Sequence, residues 1–314
     1  MLSKLYYIFK QIIIVRGDFK VDKKNYSAPA EIATTTVETG IKKSKLSFSH
    51  QLILGILAGA FIAFASEGSN MAAFNLFERP ETYGLGKTLA GSIFGTGLML
   101  VILAGGELFT GNTLIIMSVL EKKVKLKEML RNWCTVYIGN LIGSLLIVFM
   151  IVQSGLFNSG ANGLGGQTIK IASYKVSLSF MPAIYLGIMA NWLVCLAVWL
   201  SYGAKSMVGK MMAIFFPIWL FVTSGFEHSI ANMYYIPAGI LAKSNINWAN
   251  ASHLSAEKLS SLNWNTFIFN NLLPVTIGNI IGGVIFVGVI YWFVYLKPNT
   301  SVRVERKMEN EINL

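Results

Sequence analysis

The sequence predicts an all-α membrane protein of six transmembrane helices, built as an inverted 3+3 repeat with broken second and fifth helices. Three observations point there. The 314-residue chain is 54% hydrophobic and only 13% charged, with a mean hydropathy of +0.57, which excludes an ordinary soluble domain. Apolar runs recur over 48–66, 86–120, 128–152, 180–200, 208–235 and 267–296. Two of these, 86–120 and 208–235, exceed the roughly 20 residues of a straight span, and each is interrupted by a similar polar phrase.

The elements follow in chain order. Residues 1–47 form a basic tail, 48–296 the six-span domain and 297–314 a second tail. Leu5 to Val15 is apolar but broken by Lys10 and Gln11, which suits an interfacial helix rather than a span. Ala28 to Gly40, opened by Pro29, suits a short lateral helix. With both termini inside, the inner segments carry nine, five, two and four Lys+Arg, against two in each of the outer segments 67–87, 153–179 and 236–266. This is the positive-inside pattern of a cell-membrane protein with cytoplasmic termini, and it makes nucleic acid an unneeded explanation of the net charge of +11. The Asn- and Ser-rich segment 236–266 reads as a solvated connection. Cys134 and Cys195 fall within spans and are expected to be small buried hydrophobes. The three histidines are scattered, so neither a metal site nor a cofactor is expected.

The two interruptions read Gly106-Glu107-Leu108-Phe109-Thr110-Gly111-Asn112 and Phe226-Glu227-His228-Ser229-Ile230-Ala231-Asn232. Non-helical backbone and polar groups are tolerated at membrane depth only where protein or a water-filled cavity surrounds them. Further echoes link Leu54-Gly55-Ile56 to Leu186-Gly187-Ile188, and Ile138-Gly139-Asn140 to Ile277-Gly278-Asn279. Spans one to three thus map in order onto four to six. An odd-numbered repeat inserts its second copy upside down, so the two interruptions meet near the midplane. Gly55/Gly59, Gly91/Gly95, Gly139/Gly143 and Gly278/Gly282 are small-xxx-small pairs that permit close helix packing.

His228 is the one histidine that lies in an interruption. Imidazole titrates near neutral pH and can donate to an anion or pass it a proton. Thr110 supplies a hydroxyl that both donates and accepts. Glu107 and Glu227, with Asn112 and Asn232 five residues on, are expected to fix the loops, the carboxylates bonding backbone N–H groups at the half-helix ends.

Four segments carry a resemblance: Gly106 to Thr110, Asn191-Trp192-Leu193-Val194-Cys195-Leu196-Ala197-Val198-Trp199, Gly225 to Met233, and Pro274-Val275-Thr276-Ile277-Gly278-Asn279. On them, residues 28–298 resemble the formate/nitrite transporter family of formate, nitrite, hydrosulfide and lactate channels. The resemblance implies an aquaporin-like protomer in a homopentamer, each protomer with its own pore. It places His228 and Thr110 at the pore centre, Phe94, Leu98 and Phe221 at an outer constriction, and Leu108, Thr110, Asn191 and Val194 at an inner slit. It also implies vestibule lysines at Lys175 and Lys42. The expected function is a non-enzymatic channel for small monovalent anions of weak acids, formate first and nitrite second, with proton coupling at the histidine. Hydrosulfide or lactate, or a neutral solute, are the alternatives; the paired Asn-Pro-Ala of aquaporins and a twin-histidine ammonia pore are both absent. A membrane enzyme would need a further titratable partner near His228, and a scaffold acting through the basic tail would bind a soluble enzyme.

Overall fold

A computed structural model describes residues 25–297. The interfacial helix expected over 5–15 and nearly all of the 297–314 tail lie outside the described residues. The described chain is helical almost throughout. Helix α1 (Pro29–Lys45) is entered at Pro29, whose fixed φ and missing N–H suit a first turn, and Glu31 Oε2 accepts the Ala28 amide at 2.8 Å. It buries Ile32, Ala33, Thr36 and Val37. The lateral helix is therefore longer than the 28–40 expected.

Helix α2 (Phe48–Ala73) starts at Ser47, whose hydroxyl accepts the His50 amide at 3.3 Å. It runs a full two turns beyond the expected end at Ser66. The polar run Glu67, Ser69, Asn70 reads as a span boundary, yet all three are buried against neighbouring helices. After a tight turn, Phe74–Glu78, come α3 (Pro80–Gly105), α4 (Phe109–Leu120), α5 (Leu126–Gln153), α6 (Gly163–Val176) and α7 (Phe180–Gly203). The chain continues through α8 (Met207–Thr223), α9 (Ser229–Ala242), α10 (Ile246–Ala251), α11 (Ala256–Ser261) and α12 (Trp264–Tyr295). Five of these, α2, α3, α5, α7 and α12, are long and apolar enough to cross a membrane. The pairs α3/α4 and α8/α9 are the two broken segments.

Two expectations are corrected. Segment 236–266 is no solvated connection, because α9 continues to Ala242 and Trp248, Ala249 and Leu262 are buried. Three of its Asn and Ser residues are helix caps: Asn245 starts α10, Ser255 starts α11 and Asn263 starts α12. Segment 153–179 likewise contains α6, which buries Leu164, Ile169 and Ala172 against α9. Cys195 is buried, but Cys134 is exposed on the surface of the single chain.

Helices α2 and α5 cross in contact, as do α7 and α12. A Cβ on Gly55 would sit 3.2 Å from the Gly139 Cα, and one on Gly187 would sit 3.2 Å from the Gly278 Cα, so both crossings need glycine on each side. The breaks turn at Gly105 (φ +101°) and Gly225 (φ +77°), in the left-handed region that favours glycine.

What satisfies the opened backbone is the same in both halves. The Glu107 amide donates to the Leu54 carbonyl at 3.1 Å and the Glu227 amide to the Leu186 carbonyl at 3.3 Å. Asn140 Oδ1 accepts the first amide of α4, from Phe109, at 3.0 Å, while its Nδ2 donates to the carbonyls of Gly55 (2.8 Å) and Glu107 (2.9 Å). Asn279 Oδ1 accepts the first amide of α9, from Ser229, at 2.9 Å, and its Nδ2 donates to Gly187 (2.8 Å) and Glu227 (3.0 Å).

Each of these asparagines is fully buried, so removing one strands an N–H and two carbonyls at membrane depth. Asn140→Leu or Asn279→Leu is expected to lower stability by about 3 kcal/mol or more. Thermal melting of the purified protein measures it, with the exposed Asn250→Leu as a neutral control.

Candidate functional site

His228 is the N-cap of α9. Its Nδ1 accepts the Ala231 amide at 3.1 Å, and its Nε2 lies 2.8 Å from Thr110 Oγ1. Because Nδ1 is used as an acceptor, the proton of the neutral ring sits on Nε2 and is donated to Thr110. Thr110 is in the first turn of α4, and its hydroxyl makes no other hydrogen bond among the described residues. Its carbonyl accepts from Thr113 Oγ1 (2.6 Å), Asn191 Nδ2 (3.3 Å) and the Cys195 thiol (3.5 Å). Asn191 also donates to the Asn279 carbonyl at 2.6 Å, which ties this cluster to the cap of α9.

A cavity of about 570 Å³ leads to this pair. Its floor holds His228, Phe221 and Phe94, and its walls carry Lys87, Lys170 and Lys175. The Phe94 and Phe221 rings meet edge to face at 5.6 Å, and Phe221 stands 6.0 Å from the imidazole. Leu98 is buried one turn beyond Phe94 on the same face of α3. The structure therefore brings Phe94, Phe221 and His228 into one constricted floor. Leu108, Asn191 and Val194 are buried on the α4 and α7 side of the pair, and Leu108 stands at the start of α4 without a side-chain cap.

The loop glutamates are held differently from expectation. Their carboxylates bond side chains, and the half-helix amides go to Asn140 and Asn279 instead. Glu107 Oε1 accepts Lys43 Nζ at 2.7 Å and Oε2 accepts Asn112 Nδ2 at 2.7 Å. Glu227 Oε1 accepts Lys175 Nζ at 2.8 Å and Oε2 accepts Asn232 Nδ2 at 2.6 Å. Asn112 continues to Asn132 (2.8 Å) and Asn232 to Asn271 (2.6 Å).

Lys42 is exposed, and Lys43 makes the buried contact. The repeat itself carried that signal, since Lys43 precedes Leu54 by the same eleven residues that separate Lys175 from Leu186. Lys175 faces the cavity but is paired with Glu227, so much of its charge is compensated. Lys87 and Lys170 are the cavity lysines without an ion pair among the described residues. Lys87 lies over the rings of Phe77 (5.8 Å) and Tyr83 (5.6 Å). Both escaped sequence reasoning because they fall in segments taken for loops. Among the described residues, no three His, Cys, Asp or Glu side chains converge to hold a metal.

The model of the family described as Formate/nitrite transporter matches residues 30–293. The chain is 37% identical over 288 residues to the probable formate transporter of Methanothermobacter thermautotrophicus, covering 87% of this chain and 98% of that protein. It is 38% identical over 273 residues to the formate channel FocA of Escherichia coli (strain K12), covering 86% and 95%. Among solved structures it is similar to a pentameric formate channel with formate bound, with a TM-score of 0.71 at 39% identity, covering 80% of this chain and 98% of that one. An FNT family ion channel matches with a TM-score of 0.70 at 26% identity, over 85% of this chain and 99% of that one.

Breaking a buried ion pair leaves one charge uncompensated, which costs roughly 3–5 kcal/mol. Lys43→Met and Lys175→Met should each lower the melting temperature clearly, and Lys42→Met should leave it unchanged. Equal effects at positions 42 and 43 would contradict the pairing seen here.

Proposed function

The chain belongs to the formate/nitrite transporter family, and on that premise we propose that it is a channel for small monovalent anions of weak acids, formate first and nitrite second. The observation that carries this reading is the His228–Thr110 pair, two buried polar groups 2.8 Å apart beside the edge-to-face pair Phe94 and Phe221. The relatives named as formate channels and the formate-bound neighbour support the same substrate.

An anion entering the cavity meets Lys87, Lys170 and Lys175, whose field concentrates negative species. The floor of Phe94, Phe221 and Leu98 rejects strongly hydrated ions. Beyond it, His228 Nε2–H and the Thr110 hydroxyl separate and each donates to one oxygen of a carboxylate or nitrite. A desolvated anion costs several kcal/mol or more at this depth, and its neutral acid far less.

Proton coupling has a structural requirement. A neutral imidazole cannot give up its only ring proton without becoming an anion. A net proton therefore reaches the substrate through the doubly protonated ring, whose Nδ1–H displaces the Ala231 amide. Protonation of His228 thus opens the cap of α9, a contact worth about 1 kcal/mol. Coupling and the start of that half-helix move together.

The channel works as a homopentamer in the cell membrane with cytoplasmic termini. Large apolar side chains exposed on the single chain, including Phe64, Ile138, Leu146 and Phe149, suit contact with lipid or with neighbouring protomers. The charge bias of the loops supports an outer-face position for the cavity.

Formate and nitrite uptake by proteoliposomes tests the proposal. His228→Ala should lower flux by at least about tenfold and flatten its pH dependence, and Thr110→Val, which keeps shape but loses the hydroxyl, should lower it by about the same factor. Unchanged flux and pH profile in His228→Ala would remove the histidine from the mechanism.

A further inference from the structure

Glu67 of α2 is a buried carboxyl that the site above does not use. Its side chain is only 5% exposed, and its Oε2 accepts the Tyr234 hydroxyl of α9 at 2.5 Å. Oε1 has no partner. Among the described residues the ion pairs are Lys43–Glu107 and Lys175–Glu227, so Glu67 has no counter-cation. Three residues on, Asn70 is 2% exposed and lines the cavity. Its Nδ2 donates to Thr168 Oγ1 of α6 at 2.7 Å, and its Oδ1 also has no partner. The i, i+3 spacing puts both residues on one helix face. Two buried acceptor oxygens, Glu67 Oε1 and Asn70 Oδ1, are thus without a donor among the described residues, whereas Glu107 and Glu227 each hold a lysine and an asparagine. An ionised carboxylate in that setting is strongly disfavoured.

We propose that Glu67 is a proton-binding site behind the cavity-lining Asn70, separate from His228, with its proton on Oε1 donated to Asn70 Oδ1. One O–H bond forms at Oε1 and the proton comes from cavity water; nothing is oxidised or reduced. With the proton bound, both orphaned oxygens are satisfied and Oε2 keeps Tyr234. When the proton returns to water, the Asn70 amide turns over so that Nδ2 donates to Oε1. Its Oδ1 then takes the Thr168 hydroxyl, which leaves the Leu164 carbonyl it now bonds at 2.8 Å. Proton loss is thereby converted into a changed contact between α2 and α6.

The surroundings fit a site that answers to the cavity. From α9, Tyr234 and Tyr235 face Glu67, with the Tyr235 hydroxyl on the Ser66 carbonyl at 3.2 Å. From α6, Lys170 and Lys175 line the cavity beyond Asn70, the latter held by Glu227, and from α3 Lys87 lies over Phe77 and Tyr83. From α5, Tyr137 is engaged with Thr276 at 2.8 Å, and Glu78 of the turn after α2 is exposed. None of the lysines forms an ion pair with Glu67.

The site stands without any transport activity; its consequence, that weak-acid flux answers to pH through two groups, rests on the channel reading. Infrared spectroscopy of the purified full chain in lipid tests it. At about pH 7 exposed carboxyls are ionised and Glu107 and Glu227 are lysine-paired, so Glu67 should supply a protonated-carboxyl C=O band. The band should vanish in Glu67→Gln, whose amide reproduces both hydrogen bonds, and shift in Asn70→Leu. Should Glu67→Gln fail to fold, Tyr234→Phe must shift the band, and an unmoved band overturns the site. No band at neutral pH overturns it, as does a carboxylate signal that depends on sodium, which would make Glu67 a cation ligand. In proteoliposomes Glu67→Gln should keep flux dependent on His228 and lose one step of the pH profile. An unaltered profile overturns the coupling, and failure of wild-type formate flux would sink the channel reading while leaving the infrared result standing.

Discussion

The constraint on which this structure depends is that opened backbone at membrane depth must find its partners within the protein. Each broken segment frees amides and carbonyls where water and lipid cannot serve them. One buried asparagine on the neighbouring long helix answers this in each half, taking an amide and giving to two carbonyls. Those bonds need α2 to lie against α5, and α7 against α12, at glycine-to-glycine distance. Close crossing, chain break and buried asparagine are therefore one device, used twice.

The polar groups of the site are arranged around that device. The glutamate of each break is turned away from the backbone and held by a lysine and an asparagine, which fixes the loop without a free charge in its interior. The polar groups that meet at the centre come from positions where the halves differ. Leu108 opens α4 where His228 opens α9, and Gly59, pressed on the Asn140 backbone, stands where the other half has Asn191 reaching towards Thr110. Polarity at the centre is contributed unevenly, by Thr110 from one half and by His228 and Asn191 from the other.

Much of this was legible in the sequence, and the failures have physical causes. The long apolar helices and both breaks follow from hydropathy, and His228 and Thr110 do meet. Glu67 and Asn70 concealed the last turns of α2, because polarity marks a span end only when it is not satisfied inside. Asn245, Ser255 and Asn263 made helix caps look like loop composition. Asn140 and Asn279 were visible only as part of a repeat, since a hydrogen bond to backbone far away in sequence leaves no local pattern. Lys43 was recoverable from the spacing of the two halves, whereas Lys87 and Lys170 needed helices in three dimensions to reach one cavity.

One further consequence follows from the way α4 begins. Its first residue is preceded by Leu108, which provides no side-chain cap, and the half-helix forms regardless on the strength of Asn140. The frame thus has no need of an imidazole at the equivalent position in the other half. The side chains at 108 and 110 take no part in the asparagine, glutamate and lysine contacts that hold the breaks, and His228 adds one capping contact to them. A protein built this way keeps the contacts that hold its breaks apart from most of the side chains that meet between them.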